Sequence, residues 1–155
     1  MNETQRRDRR PVLVIEDVDD DYETVVEAAH RASIENPLVR AADASIAARL
    51  LCAASAGTFA FVLLDYCLPG VDGLEFLNEL RRHPVHWDLP AVIFTASVNP
   101  RDRASFHAAG ASAYHVKVME FNRCLSTLQG IFDQWLTLPA PLYANARAPM
   151  PGAPG

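Results

Sequence analysis

Short apolar runs alternate with helix-forming segments over most of this chain. Three of the runs, Val12–Ile15, the residues that precede Asp65, and Ala91–Phe94, lack polar alternation, which predicts strands covered on both faces, as in a parallel sheet. Leu38–Ala42 is a weak strand candidate, and the fifth run carries Tyr114 and Lys117. The segments between them carry capping residues or apolar residues at helical spacing. The predicted strands are Val12–Ile15, Leu38–Ala42, Phe59–Asp65, Ala91–Phe94 and Ala113–Val118. The predicted helices run from Asp20 to Ala32, from the capping residues Asp43 and Ser45 to Ala56, from Leu74 to Arg82, from Pro100 to Ala109 and from Phe121 to Trp135.

The order of these elements indicates the fold class. Parallel strands that alternate with helices need right-handed crossovers, so we predict an α/β domain with a doubly wound, five-stranded parallel sheet and five helices, of the flavodoxin-like kind. Asp19, Asp20 and Asp21 are the candidate N-caps of its first helix. We expect this domain to span residues 11–136, with a solvated basic tail over residues 1–10 and an extended, proline-rich arm over residues 137–155.

Composition and charge narrow the class of protein. The net charge of -5 argues against a nucleic-acid surface, which normally carries a basic stripe. No run approaches the roughly 20 apolar residues of a membrane span, and the apolar run after the N-terminal arginines is too short for a signal peptide. The three cysteines are isolated and lack the spacing of a zinc site. We therefore expect a cytoplasmic protein with reduced thiols that binds neither nucleic acid nor membrane.

Polar residues lie at the carboxyl ends of four of the predicted strands. The carboxyl ends of parallel strands meet at one edge of the sheet, where α/β proteins bind ligands. Carboxylates gathered there repel one another unless a hard cation lies among them, and a small site of oxygen ligands favours Mg²⁺. We predict a Mg²⁺ site formed by Asp17, Asp65 and the backbone carbonyl of Cys67, with Glu16 acting directly or through water. The residues expected at this edge are Glu16, Asp17, Asp65, Thr95 and Lys117.

This constellation predicts phosphoryl chemistry on Asp65. With the local charge offset by the metal, a carboxylate oxygen of Asp65 can attack a phosphoryl group in line. Lys117 supplies a compact positive charge to the phosphoryl oxygens, and Thr95 supplies a hydroxyl donor. The backbone amides of Tyr66 and Ala96 are further candidate donors.

These residues and their spacing resemble the receiver domain of two-component response regulators over about residues 11–136. The motifs are Glu16-Asp17, the stretch from Leu64 to Gly73 around Asp65, Thr95-Ala96, and Lys117 three residues after Tyr114. The resemblance implies a signalling protein rather than an enzyme, in which Asp65 receives a phosphoryl group from a phosphohistidine of a sensor histidine kinase. It also implies that Thr95 and Tyr114 form a switch, in which phosphorylation draws Thr95 inward and the Tyr114 ring fills the space it leaves.

A narrower resemblance concerns the end of the chain. Residues 132–139 are similar to those of the single-domain response regulators that serve bacterial phytochrome kinases. That resemblance implies a phytochrome as the kinase and a homodimer formed through the last helix and the C-terminal arm. Onward transfer to a histidine phosphotransfer protein is a further route by which the signal would leave.

Two residues depart from the receiver pattern. Receiver domains usually have proline after the lysine, whereas Val118 follows Lys117 here. A cis bond before valine costs about 2.5–4 kcal/mol, so we expect a trans bond, a shifted loop and a lysine that reaches the site differently. Val18 stands where a small polar residue is common after the acidic pair.

Three other functions are alternatives to this prediction. A flavodoxin-type nucleotide or flavin binder needs a phosphate cradle after its first strand, where Glu16 and Asp17 would repel phosphate. A hydrolase of the haloacid dehalogenase type needs a second aspartate two residues after Asp65, where Cys67 stands. The third is a pseudo-receiver that acts as a phosphorylation-independent interaction module, because the Lys117-Val118 departure could disable signalling and leave the fold intact.

Overall fold

The computed structural model describes residues 6–65 and 73–138 and contains a parallel five-stranded sheet with the order β3-β2-β4-β5-β6. A separate two-stranded sheet pairs β1 with β7. The strands are β1 Arg6–Arg7, β2 Val12–Ile15, β3 Leu38–Ala41, β4 Phe61–Leu64, β5 Ala91–Thr95, β6 Ala113–Val116 and β7 Thr137–Leu138. The helices are α1 Asp19–Arg31, α2 Ala44–Ala53, α3 Gly73–Arg81, α4 Pro100–Ala108 and α5 Phe121–Leu136.

The predicted fold class is confirmed. All four strand pairings of the main sheet are parallel, and the strand order reverses at β2, so the sheet is doubly wound. Every residue of the three inner strands β2, β4 and β5 is buried, as their uninterrupted apolar sequences predict.

Two apolar cores lie on opposite faces of the sheet, because successive strand residues point to opposite sides. On one face, alternate residues of β2, β4 and β5 pack against α2, α3 and α4. On the other face, the remaining residues of these strands pack against α1 and α5. Phe61 of β4 lies in this second core, with its ring 6.3 Å from that of Phe132 and 6.4 Å from that of Trp135 in α5.

The helix ends agree with the predictions in most places. Asp43 caps α2 by accepting a hydrogen bond of 2.9 Å from the Ile46 amide, and Gly110 follows α4 with a φ of +99°, a conformation that suits glycine. The prediction for α1 is wrong. Val18 holds the N-cap position without a side-chain hydrogen bond, and the three aspartates form the first turn instead. There they interact favourably with the positive end of the helix dipole.

The two ends of the described chain meet, which the sequence did not indicate. Arg6 and Arg7 pair antiparallel with Leu138 and Thr137, and the Asp8 amide donates to the Leu136 carbonyl at 2.7 Å. Asp8 is buried and binds Arg10 through both carboxylate oxygens. Residues 6–8 therefore belong to the folded structure, although they lie in the segment predicted to be a solvated tail.

Candidate functional site

The carboxylates of Glu16, Asp17 and Asp65 lie together at the carboxyl edge of the main sheet. Ile15 at the end of β2 is in register with Leu64 at the end of β4, so the residues that follow each strand become neighbours. The Asp65 amide donates to the Ile15 carbonyl at 3.2 Å, which fixes the two strand ends against each other. One carboxylate oxygen from each of the three residues lies within 4.8 Å of the other two.

Lys117 brings a positive charge to these carboxylates from the far side of β5. Its amide donates to the Thr95 carbonyl at 2.6 Å, so the backbone still follows the parallel ladder at this point. Its ammonium lies 3.0 Å from Glu16 Oε1 and 3.7 Å from Asp65 Oδ2. Val118 therefore does not keep Lys117 from the site, and the lysine reaches Asp65.

A fourth carboxylate, that of Asp21, also contacts this lysine. Asp21 Oδ2 lies 3.3 Å from Lys117 Nζ. From the sequence, Asp21 was predicted only as a helix cap. The signal that could have found it is its position in the first turn of α1, which begins directly after the strand end that carries Glu16 and Asp17.

Burial and charge perturb both partners of the central ion pair. Glu16 is 3% exposed, and burial is the main cause that raises its pKa to about 7; the positive charge of Lys117 opposes this rise, and the charge of Asp65 adds to it. Burial lowers the pKa of Lys117, but Asp65, Glu16 and Asp21 outweigh it and raise that pKa above its ordinary value. Lys117 is therefore charged at neutral pH, and Glu16 bears the unfavourable charge of the cluster.

Thr95 and Tyr114 are joined through Ser97. Thr95 is buried at the end of β5, and its hydroxyl accepts a hydrogen bond of 3.2 Å from the Ser97 amide. The Tyr114 hydroxyl donates to the Ser97 carbonyl at 3.1 Å, while its half-buried ring packs beside Phe106 and under the Arg103 guanidinium. The two predicted switch residues thus hold the same loop residue.

The carboxyl edge of the sheet, with its carboxylates and Lys117, is part of a domain found in a known protein family. The response regulator receiver domain family matches residues 12–129. This range includes Lys117 and the four carboxylates of the site, those of Glu16, Asp17, Asp21 and Asp65. The chain belongs to this family. The sequence-based recognition of a receiver domain, drawn from the acidic pair, Asp65, Thr95 and Lys117, is confirmed.

The relatives of this receiver domain include other response regulators, one of them a bacteriophytochrome response regulator. Response regulator Rcp1 of Synechocystis sp. is 29% identical over 138 residues, which cover 83% of this chain and 92% of Rcp1. The crystal structure of the Mn²⁺-bound form of Rcp1 has a TM-score of 0.77 at 27% identity, covering 85% of this chain and 99% of that one. The bacteriophytochrome response regulator AtBRR has a TM-score of 0.63 at 32% identity, covering 79% and 93%.

Other relatives share this domain as part of a longer protein. The cyclic di-GMP phosphodiesterase response regulator RpfG of Xanthomonas campestris is 38% identical over 78 residues, but the match spans only 21% of its length. Receiver domains of this family are signalling modules, which agrees with the prediction of a signalling protein. Within the described residues, no helix has the length and apolar character needed to cross a membrane.

The donor set fits a hard divalent cation. Three carboxylates with oxygens close enough to share one ion are the ligands that Mg²⁺ and Mn²⁺ prefer. Burial is the main cause that raises the pKa of Glu16, and the neighbouring charge of Asp65 adds to it, so a cation bound between these carboxylates would relieve both effects. The predicted Mg²⁺-type cofactor is thus confirmed for this receiver domain, while the assignment of each ligand stays a prediction. Cys67, the predicted carbonyl ligand, lies outside the described residues.

Proposed function

We propose that this receiver domain accepts a phosphoryl group on Asp65 from a sensor histidine kinase in a Mg²⁺-dependent reaction. The observation that carries the proposal is the position of the Lys117 ammonium, 3.7 Å from Asp65 Oδ2, beside a cluster of three carboxylates. A strand-end carboxylate with both a cation site and a fixed lysine has what in-line phosphoryl transfer needs, since that reaction depends on positioning and charge stabilisation.

The transfer forms one bond and breaks one. A carboxylate oxygen of Asp65 attacks the phosphorus, the new O–P bond forms an acyl phosphate, and the P–N bond of the phosphohistidine breaks with its electron pair leaving to the imidazole. When bound, Mg²⁺ supplies positive charge to the phosphoryl oxygens as the reaction proceeds. Asp17, Asp65 and the backbone carbonyl of Cys67 would hold that ion, with Glu16 acting directly or through water, and Lys117 would neutralise a phosphoryl oxygen.

The signal then passes from Thr95 to Tyr114. The Thr95 hydroxyl, which accepts from the Ser97 amide, turns to the new phosphoryl group and gives up that contact. Because the Tyr114 hydroxyl is held by the Ser97 carbonyl, movement of this loop releases the Tyr114 ring. Phosphorylation of Asp65 thus shifts the equilibrium between two arrangements of the same core, which differ in the positions of Thr95 and Tyr114.

The wider context is also part of this proposal, and the relatives support it. We propose that the protein works in the cytoplasm as a single-domain response regulator, with a receiver domain over residues 11–136 and a C-terminal arm over residues 137–155, of which the first two form β7. Its kinase is a bacteriophytochrome, its active form is a homodimer built on α5 and the arm, and the signal leaves by protein contact or through a histidine phosphotransfer protein. Support comes from the similarity to Rcp1 and AtBRR, both nearly covered by this chain.

Incubation with acetyl phosphate and Mg²⁺ tests the central claim. Intact mass spectrometry should show one added phosphoryl group on the wild type and none on Asp65→Asn, and EDTA should abolish the addition. An unchanged wild-type mass would refute the proposal. It would favour the pseudo-receiver, the alternative suggested by Val118 after Lys117.

Transfer from a purified bacteriophytochrome kinase tests the partner. Faster phosphorylation by that kinase than by an unrelated histidine kinase of equal activity would support it, and equal rates would refute the assignment. Sedimentation of the full chain and of a chain ending at residue 138, which keeps β7, tests the dimer. The dimer should weaken when the arm is removed, and equal association of the two chains would refute the role of the arm.

A further inference from the structure

Lys117 is shared by three carboxylates, but these do not have equal roles at the site. Glu16 and Asp65 belong to the cluster whose oxygens could hold one metal ion. Asp21 lies outside that cluster, yet its Oδ2 is 3.3 Å from the ammonium. Asp21 is therefore a partner of Lys117 that is not among the candidate metal ligands.

Binding of a divalent cation to the cluster would change the strength of the contacts that hold the Lys117 ammonium. Carboxylate oxygens that bind the cation offer less negative charge to Lys117, and the cation itself repels the ammonium. The contacts of Lys117 with Glu16 and Asp65 are weakened in this way. Its contact with Asp21 involves a carboxylate on α1 that is free to stay with the lysine.

The backbone of Lys117 is held by the bond from its amide to the Thr95 carbonyl, at 2.6 Å, but that bond does not fix the ammonium. Its side chain is 17% exposed, it lies in the loop between β6 and α5, and the next residue is Val118. The ring of Phe94 is a second neighbour, 5.6 Å from the ammonium, and its attraction to a cation does not select the direction of Asp65. Asp21, a carboxylate outside the cluster, contacts the ammonium directly at 3.3 Å and so limits where it can move.

We propose that Asp21 is a positioning residue that keeps the Lys117 ammonium at the site once a divalent cation occupies the carboxylate cluster. The inference rests on the proposed function, in which Lys117 neutralises the phosphoryl group. Asp21 itself touches neither the phosphoryl group nor the metal. Its effect is exerted through the lysine alone.

The chain offers a closely matched control, because Asp20 precedes Asp21 in the same turn of α1 and has the same charge. Phosphorylation by acetyl phosphate at saturating Mg²⁺ should slow in Asp21→Asn by roughly two- to fivefold, the effect expected of a partly exposed ion pair. Asp20→Asn should react at the wild-type rate, and Asp21→Glu should recover at least half of the loss. In a Lys117→Gln background, Asp21→Asn should have no further effect.

A second measurement does not depend on phosphorylation. In protein with ¹³C-labelled lysine and bound Mg²⁺, the two ε-methylene protons of Lys117 should give separate NMR signals while the ammonium is held, and should merge when it rotates freely. Lys117→Gln identifies these signals. Separate signals are expected in the wild type and Asp20→Asn, and merged signals in Asp21→Asn.

The outcomes separate the two claims. A wild type that gains no phosphoryl mass refutes the proposed function, and the NMR signals then still decide the role of Asp21. Separate Lys117 signals in Asp21→Asn, or merged signals in the Mg²⁺-bound wild type, overturn the inference. So does an Asp21→Asn rate equal to or above that of Asp20→Asn, or a failure of Asp21→Glu to restore it.

Discussion

Glu16 offers a quantitative test of the electrostatics at the site, because it is buried next to two other carboxylates. Burial, opposed by Lys117 and reinforced by Asp65, raises its pKa from 4.5 to about 7. A tenfold change in an equilibrium constant corresponds to about 1.4 kcal/mol, so ionised Glu16 destabilises the metal-free fold by about 3 kcal/mol. Glu16→Gln replaces it with a neutral side chain of the same shape.

The sign of the pH dependence follows from the direction of that pKa. Below about pH 4.5, Glu16 is protonated in both the folded and the unfolded chain, and the substitution should change little. As the pH rises toward about 7, the unfolded chain ionises first and the wild type loses stability. Above that pH the full difference is present, so Glu16→Gln should be more stable by up to about 3 kcal/mol at pH 8.

Urea unfolding in EDTA, followed by circular dichroism between pH 4 and pH 8, measures this difference. Glu23→Gln is the control, since Glu23 is an exposed carboxylate on α1 and its substitution should give no such pH-dependent gain. Added Mg²⁺ should reverse the order, because it stabilises the wild type and binds Glu16→Gln more weakly. Parallel pH profiles for the wild type and Glu16→Gln, or a wild type that gains relative stability as the pH rises, would refute the reasoning.

Three further predictions concern other parts of the fold, each measured as a change in the free energy of unfolding in urea. Burial alone would raise the pKa of Asp8, but its bonds with Arg10 hold that pKa below the ordinary value of 3.8. Arg10→Ala should therefore lower the free energy of unfolding by roughly 1–3 kcal/mol at pH 7 and by less as the pH falls below 3.8. A loss that does not depend on pH would contradict this. Ser33 has a φ of +56°, so Ser33→Gly should stabilise by about 0.5–1 kcal/mol, whereas a loss would show that its side chain matters more than its backbone. Tyr114→Phe removes the hydrogen bond to the Ser97 carbonyl and should cost about 0.5–1.5 kcal/mol, and no change would mean that water replaces this bond at no loss.

The elements of the main sheet could be predicted because local patterns and tertiary burial agree there. The runs at Val12–Ile15 and Phe61–Leu64 are apolar without alternation, and both are buried on both faces. The ends of elements were less predictable. Val118 was included in the last predicted strand of the sheet, which ends at Val116, because a β-branched residue favours a strand whether or not a neighbour pairs with it.

The pairing of the chain ends was beyond the reach of sequence patterns. Arg6 and Arg7 are charged, and two-residue strands have no periodicity to detect. They pair with Thr137 and Leu138 because α5 returns the chain to the same end of the sheet, which is a consequence of the whole topology. Burial of Asp8 likewise depends on Arg10, which folds back over it.

The sequence by itself determined the fold class and the residues gathered at its carboxyl edge, because parallel topology sends every strand end to one side and residue type then decides the chemistry. Glu16, Asp17, Asp65, Thr95 and Lys117 follow from that rule alone. Only the tertiary structure decided which of these groups touch, since distances between side chains depend on helix placement and rotamers. It brought Lys117 to Asp65 despite Val118, and it added Asp21 from α1 as a further partner of that lysine.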